Sequence, residues 1–142
     1  MSKANEKLNV LVGKWKTKGS TSPDLGPVIT VEGIDTYINS PGGLILHTVN
    51  VKMGDDDVEA SEIMGYDSKR KKYFANAYGA DGQVTNYEIV IRGNKWSILG
   101  KKERSYFSVN RKKTKMTVQW EKLNKRKWVP WMALTLVKLA AR

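Results

Sequence analysis

Alternating polar and apolar side chains dominate this chain from residue 14 onward and predict β-strands. Between Lys14 and Lys18, lysines occupy every second position, with Trp15 and Thr17 between them. A period of two is typical of a strand with one wet face. Comparable runs recur at intervals of roughly 8–13 residues, separated by Gly, Pro, Asp and Asn turns. The ten predicted strands cover about Lys14–Thr21, Val28–Ile38, Leu44–Lys52, Val58–Tyr66, Lys72–Tyr78, Gln83–Ile91, Lys95–Leu99, Arg104–Asn110, Lys115–Leu123 and Trp128–Leu139.

One short helix is predicted before the first strand, from Lys3 to Val12. Leu8, Leu11 and Val12 fall on one helical stripe at spacings of three and four, and Ser2 is positioned as its N-cap. The sequence therefore predicts one helix followed by strands.

The links between the predicted strands are too short for parallel crossovers, which need a dozen or more residues. Consecutive strands should therefore pair as an antiparallel meander. A meander of about ten strands removes its exposed edges by closing on itself. The sequence predicts an all-β, up-and-down barrel forming a single domain over residues 1–142, with a two-sheet sandwich as the alternative. Gly33 is expected at a bulge or bend, and Gly54–Asp57 at a turn.

The composition narrows the chemistry that the chain can perform. It has no cysteine, which excludes disulfides, thiolate metal sites and cysteine nucleophiles. The only acidic cluster, Asp55–Asp57, lacks the alternate spacing of a calcium loop, so neither a metal nor another cofactor is predicted. The start of the chain lacks the apolar core of a signal peptide, and the longest apolar run, Val129–Leu139, contains Pro130. We expect a cytoplasmic protein.

The net charge of +11 is unevenly distributed. Residues 1–66 carry a net −3 and residues 67–142 a net +14. Four basic clusters occupy predicted turns, at 69–72, 101–104, 111–115 and 125–127. In a meander, successive turns alternate between the two ends of a barrel, which divides these clusters into two pairs. This favours a solvated exterior over a single nucleic-acid groove, although binding to nucleic acid or an anionic surface stays open.

The segment Leu8-x-x-Leu-Val-Gly-Lys-Trp15 resembles the opening of the calycins, the superfamily of lipocalins and fatty-acid-binding proteins. Gly42-Gly43 before an apolar strand, and Met64-Gly-Tyr-Asp67 followed by Lys71-Lys-Tyr73, are similar to an uncharacterised bacterial family classed as a domain of unknown function. The Met116 and Trp128–Met132 strands fit its ending. The resemblance implies a lipocalin-like barrel and transfers no reaction. A related family, the nitrobindin type, binds haem through a His near its C-terminus, which this chain lacks.

Candidate ligand contacts are polar and aromatic residues that share a strand face with apolar ones, because alternate residues line a barrel interior. His47 is in phase with Ile45 and Val49, and Glu62 with Val58 and Met64. The residues predicted to contact a ligand are Tyr37, His47, Glu62, Tyr66, Tyr87 and Trp120.

Three functions follow from these positions. The leading prediction is a binding module for a small apolar or amphipathic molecule in the barrel. The second is a small barrel enzyme in which Glu62 and His47, on neighbouring strands, perform acid–base chemistry. The third is electrostatic binding through the basic turns. Leu44 and Leu46, on the opposite face of the charge-free third strand, suggest a homodimer interface if that face is uncovered.

Overall fold

The computed structural model describes residues 2–140, which form ten strands behind a short helical segment. The helical segment is α1 (Lys3–Leu8), continued by a 3₁₀ turn over Asn9–Leu11. The strands are β1 (Gly13–Thr21), β2 (Thr30–Asn39), β3 (Ile45–Met53), β4 (Asp56–Asp67), β5 (Lys72–Tyr78), β6 (Val84–Arg92), β7 (Lys95–Leu99), β8 (Glu103–Val109), β9 (Lys115–Asn124) and β10 (Lys127–Lys138).

Every strand pairs antiparallel with its neighbours in sequence, and β10 returns to pair with β1. The sheet is therefore a closed barrel, which confirms the predicted meander and excludes the two-sheet sandwich. The turns alternate between two ends. The open end carries the links at 22–29, 54–55, 79–83, 100–102 and 125–126. The closed end carries α1 and the links at 40–44, 68–71, 93–94 and 110–114. The four basic clusters are thus divided between the ends, as predicted.

Of the two roles predicted for Gly33, a bulge or a bend, the bulge is absent, because the β2 ladder runs without a shift through Gly33 on both sides. The glycine instead permits a close approach: a Cβ there would lie 2.3 Å from the Asn50 carbonyl oxygen, which is typical of a sharp bend at a barrel corner. The register shift lies in β10, between Pro130 and Met132. The turn predicted over Gly54–Asp57 is also shorter, since β4 already begins at Asp56.

The closed end of the barrel is sealed by the N-terminal segment. Leu8, Leu11 and Trp15 are fully buried, and the Trp15 Nε1–H donates a 2.8 Å hydrogen bond to the Leu11 carbonyl. The Tyr73 hydroxyl donates to the Ala4 carbonyl at 3.1 Å and ties α1 to β5. The Ser2 side chain caps α1 as predicted, accepting a 3.1 Å hydrogen bond from the Asn5 amide. The helical segment therefore forms the floor of the barrel.

No helix within residues 2–140 combines the length and the apolar character needed to cross a bilayer.

Truncation of Leu8 to alanine tests the floor. Because Leu8 is fully buried, Leu8→Ala should lower the free energy of unfolding by about 2–5 kcal/mol. Chemical denaturation followed by tryptophan fluorescence measures this change. The matched control is Val28→Ala, at a position that is 60% exposed, where a change within about 0.5 kcal/mol is expected. Equal losses in both variants would contradict the assigned floor.

Candidate functional site

A cavity of about 240 Å³ occupies the half of the barrel above the floor. Its walls are mostly aliphatic, and include Val31, Val51, Val118, Leu134 and Leu136. Lining residues near the open end, such as Ala60 and Ser61, are exposed to solvent. The barrel is thus packed at one end and hollow at the other. Apolar walls with a few polar groups are characteristic of small-molecule sites.

A hydrogen-bonded chain of polar side chains crosses one wall of this cavity. His47 on β3 faces Glu62 on β4 in direct register, with 3.0 Å between Nδ1 and Oε1. Its other ring nitrogen, Nε2, lies 2.7 Å from Asp35 Oδ2 on β2. The Thr17 hydroxyl of β1 donates to Asp35 Oδ1 at 2.5 Å. Four adjacent strands therefore contribute one member each.

These hydrogen-bonded side chains are held in place by their surroundings. The three ionisable side chains are only 11–13% exposed. The Tyr37 ring, which lies directly opposite His47 in the β2–β3 register, stacks on the imidazole with centroids 3.9 Å apart and planes inclined by 8°. Burial, followed by the charges of Asp35 and Glu62, raises the pKa of Tyr37 well above its ordinary value. Tyr37 therefore contributes a neutral ring to the wall.

The two carboxylates hold His47 in its charged form. Burial is the largest single influence and acts to lower the pKa, but the hydrogen bonds and charges of Asp35 and Glu62 together outweigh it. The pKa of His47 is raised to about 9. At neutral pH the imidazolium therefore donates one N–H to each carboxylate, and no ring lone pair is left for a metal or a substrate proton. Within residues 2–140, no group of His, Asp or Glu side chains is arranged to hold a metal ion.

Aromatic rings form the opposite wall towards the open end. Tyr87 on β6 and Trp120 on β9 meet edge-to-face with centroids 6.4 Å apart, and Trp131 on β10 meets Trp120 in the same way at 5.9 Å. Gly100 makes room for this group, because a Cβ there would lie 2.7 Å from the Tyr87 ring. The Lys122 ammonium lies 4.0 Å from the centre of the Trp131 ring.

Two polar residues of β8 complete the cavity lining. Glu103 and Ser105 share one face of the strand. Burial, then the charges of Glu103 and Glu62, raise the pKa of Tyr87, so both carboxylates act on the same phenol. The Ser105 side chain is fully buried, and its Oγ has no hydrogen-bond partner among the described residues.

The structure brings five of the six predicted contacts to the cavity and leaves one away from it. Tyr37, His47, Glu62, Tyr87 and Trp120 line the cavity. Tyr66 packs instead against Tyr73, with ring centroids 4.8 Å apart. Tyr73 is hydrogen-bonded to α1 at the floor of the barrel. Tyr66 does not line the cavity.

Lining residues outside the predicted contact set include Thr17, Asp35, Glu103, Ser105 and Trp131. The signal for Asp35 was present, because it shares the strand parity of Tyr37. Glu103 and Ser105 likewise share parity with Phe107. Trp131 could not be placed, because the β10 register shift occurs at that residue.

No family model matches the chain, and no curated protein matches its sequence. Solved structures do resemble it. Rv2717c from M. tuberculosis superposes with a TM-score of 0.71 at 10% identity, covering 99% of each chain. The S-type phycobiliprotein lyase CPES from Guillardia theta gives 0.56 at 9% identity, covering 96% of this chain and 93% of that one. Zebrafish ileal bile acid-binding protein, complexed with cholic acid, superposes with a TM-score of 0.52 at 13% identity, covering 92% of this chain and 99% of that one.

These likenesses show a lipocalin-like, calycin-type fold. At such low identities they carry the architecture alone. The similarity to one uncharacterised bacterial family stays a prediction.

The raised pKa of His47 predicts a specific dependence of stability on pH. A group whose pKa is higher in the folded protein stabilises it fully below the unfolded value of 6.5, and that stabilisation is lost as the pH rises through about 9. The loss should be on the order of 3 kcal/mol. Urea denaturation at several pH values between 6 and 10 measures it. The His47→Gln variant should be less stable than the wild type at pH 6 and should lack this pH-dependent loss. The free energies of unfolding of the two proteins should therefore converge towards pH 10. Parallel profiles would contradict the assignment.

Proposed function

We propose that the protein binds one small apolar or amphipathic molecule in the upper half of its barrel. The observation that carries the proposal is the cavity itself: about 240 Å³ of apolar-walled space, closed below by the floor and reaching solvent above. Protein interiors are normally packed with few voids larger than a water molecule. A hollow of this size in an otherwise close-packed barrel is best explained by an occupant.

The polar groups of the cavity are few and fixed, which favours recognition of one oriented molecule. Thr17, Asp35, His47 and Glu62 are linked by hydrogen bonds, so their positions do not depend on a ligand. Fixed polar groups among apolar walls determine ligand orientation at little entropic cost. Two structural neighbours are in keeping with this proposal: one is a complex with cholic acid and the other is a phycobiliprotein lyase.

The pairing of His47 with Glu62 supports a second candidate, an acid–base enzyme, because the two side chains lie 3.0 Å apart. The electrostatics favour binding instead. A general base needs a pKa near the working pH and a free lone pair, whereas His47 has a pKa of about 9 and both ring nitrogens engaged. We therefore assign the chain of polar residues to shaping the cavity wall.

Partly filling the cavity should weaken binding. Ala77 on β5 lines the cavity, so Ala77→Phe should reduce affinity for a neutral probe, 1-naphthylmethanol, by about tenfold or more, because the added ring takes the space of the probe. Isothermal titration calorimetry measures the loss. The matched control is Asn76→Phe, one residue earlier on the opposite face of β5, which should bind like the wild type. Both variants need an unchanged far-UV spectrum.

Native mass spectrometry of the freshly purified protein provides a second test. A small molecule of reproducible mass should accompany the wild type and be lost from Ala77→Phe. A wild type that carries no small molecule and does not bind the probe would contradict the proposed function.

A further inference from the structure

The charges that line the cavity are out of balance. Three lining residues are carboxylic acids, Asp35, Glu62 and Glu103, and one is the imidazolium of His47. Among the described residues that line the cavity, none is Lys or Arg. The lining therefore has three acidic side chains against one basic side chain. Unpaired charge in a partly buried apolar site is costly.

Glu103 is the one acidic lining residue without a salt bridge among the described residues. Its neighbour across the β8–β9 ladder is Lys122, but no salt bridge joins the two among the described residues; the ammonium lies over the Trp131 ring. Glu103 on β8, Glu62 on β4 and Tyr87 on β6 line the same cavity. Both carboxylates act to raise the pKa of the Tyr87 phenol, Glu103 also through a side-chain hydrogen bond.

A second observation points to a ligand at the same place. Ser105 lies two residues from Glu103 on the same face of β8, is fully buried, and lines the cavity with an Oγ that has no partner among the described residues. Buried hydroxyls are normally hydrogen-bonded, and leaving one unsatisfied destabilises the folded protein. A polar ligand group in the cavity would satisfy it.

We infer that the ligand is a small amphipathic amine whose ammonium group lies between Glu103, Glu62 and the ring of Tyr87, with Ser105 as a hydrogen-bond partner and the apolar body against the aliphatic wall. This inference rests on the proposed binding function and specifies its ligand class. An ammonium gains from both carboxylates, and it is also attracted to aromatic faces. A ligand carboxylate, in contrast, would meet like charge on entering the cavity.

Three probes of one shape test the ligand class: 1-naphthylmethylamine, 1-naphthylmethanol and 1-naphthoate, titrated calorimetrically into the wild type at pH 7. The amine should bind about tenfold more tightly than the alcohol, in line with one hydrogen bond to a charged group. The carboxylate should bind more weakly than the alcohol.

Substitutions locate the ammonium. Glu103→Gln should remove most of the preference for the amine while leaving the affinity for the alcohol within about twofold. The matched control, Glu59→Gln, makes the same charge change on the exposed outer face of β4 and should leave all three affinities unchanged. Ser105→Ala should weaken amine binding a few-fold, about 1 kcal/mol or less in free energy, without changing the order of the probes.

The outcomes separate the inference from the function on which it rests. If 1-naphthoate binds as well as the amine, and if Lys122→Met rather than Glu103→Gln abolishes binding, the cavity selects anions and the inference is overturned while the binding function stands. If none of the three probes binds the wild type and no molecule co-purifies, the proposed function itself fails.

Discussion

The pairing of β1 with β10 is the constraint on which the rest of the structure depends. Seven residue pairs, from Trp15 opposite Lys138 to Thr21 opposite Met132, join the two ends of the meander. Closure gives every strand two partners, so each side chain points either into one shared interior or out to solvent. Strand β1 also carries Trp15, which packs with the helical segment that seals one end. Closing the sheet therefore both creates the interior and divides it into a packed floor and a hollow above.

Charged side chains are costly to bury in such a cavity. Here the imidazolium of His47 compensates the charges of two carboxylates. Asp35 and Glu62 lie on either side of His47, and Thr17 occupies a remaining oxygen of Asp35. Such an arrangement is close to balanced as a whole, but removing one member leaves a buried charge without a partner. Each member is therefore needed by the others. Glu103 stands outside this arrangement, opposite Lys122 in the β8–β9 ladder.

Strand order and the inward phase of His47 and Glu62 could be predicted from the sequence, because a period of two is a local property and short links dictate neighbouring strands. Their register could not, since it depends on how each turn closes; the structure placed them directly opposite. Asp35 was missed although its parity was readable, because the distance to its partner is set by the barrel. The inward position of Trp131 could not be predicted because of the register shift in β10, and that of Glu103 could not because the residue lies at the start of a strand.

The split between a packed floor and a hollow mouth separates the demands of folding from those of recognition. Folding depends on Leu8, Leu11, Trp15 and their neighbours at one end, whereas the residues that line the cavity lie towards the other. Changes at the mouth can therefore accumulate without endangering the scaffold, and the side chains that line the cavity are free to diverge between barrels of the same architecture. A superposition over 99% of two chains that share 10% of their residues is what such an arrangement allows.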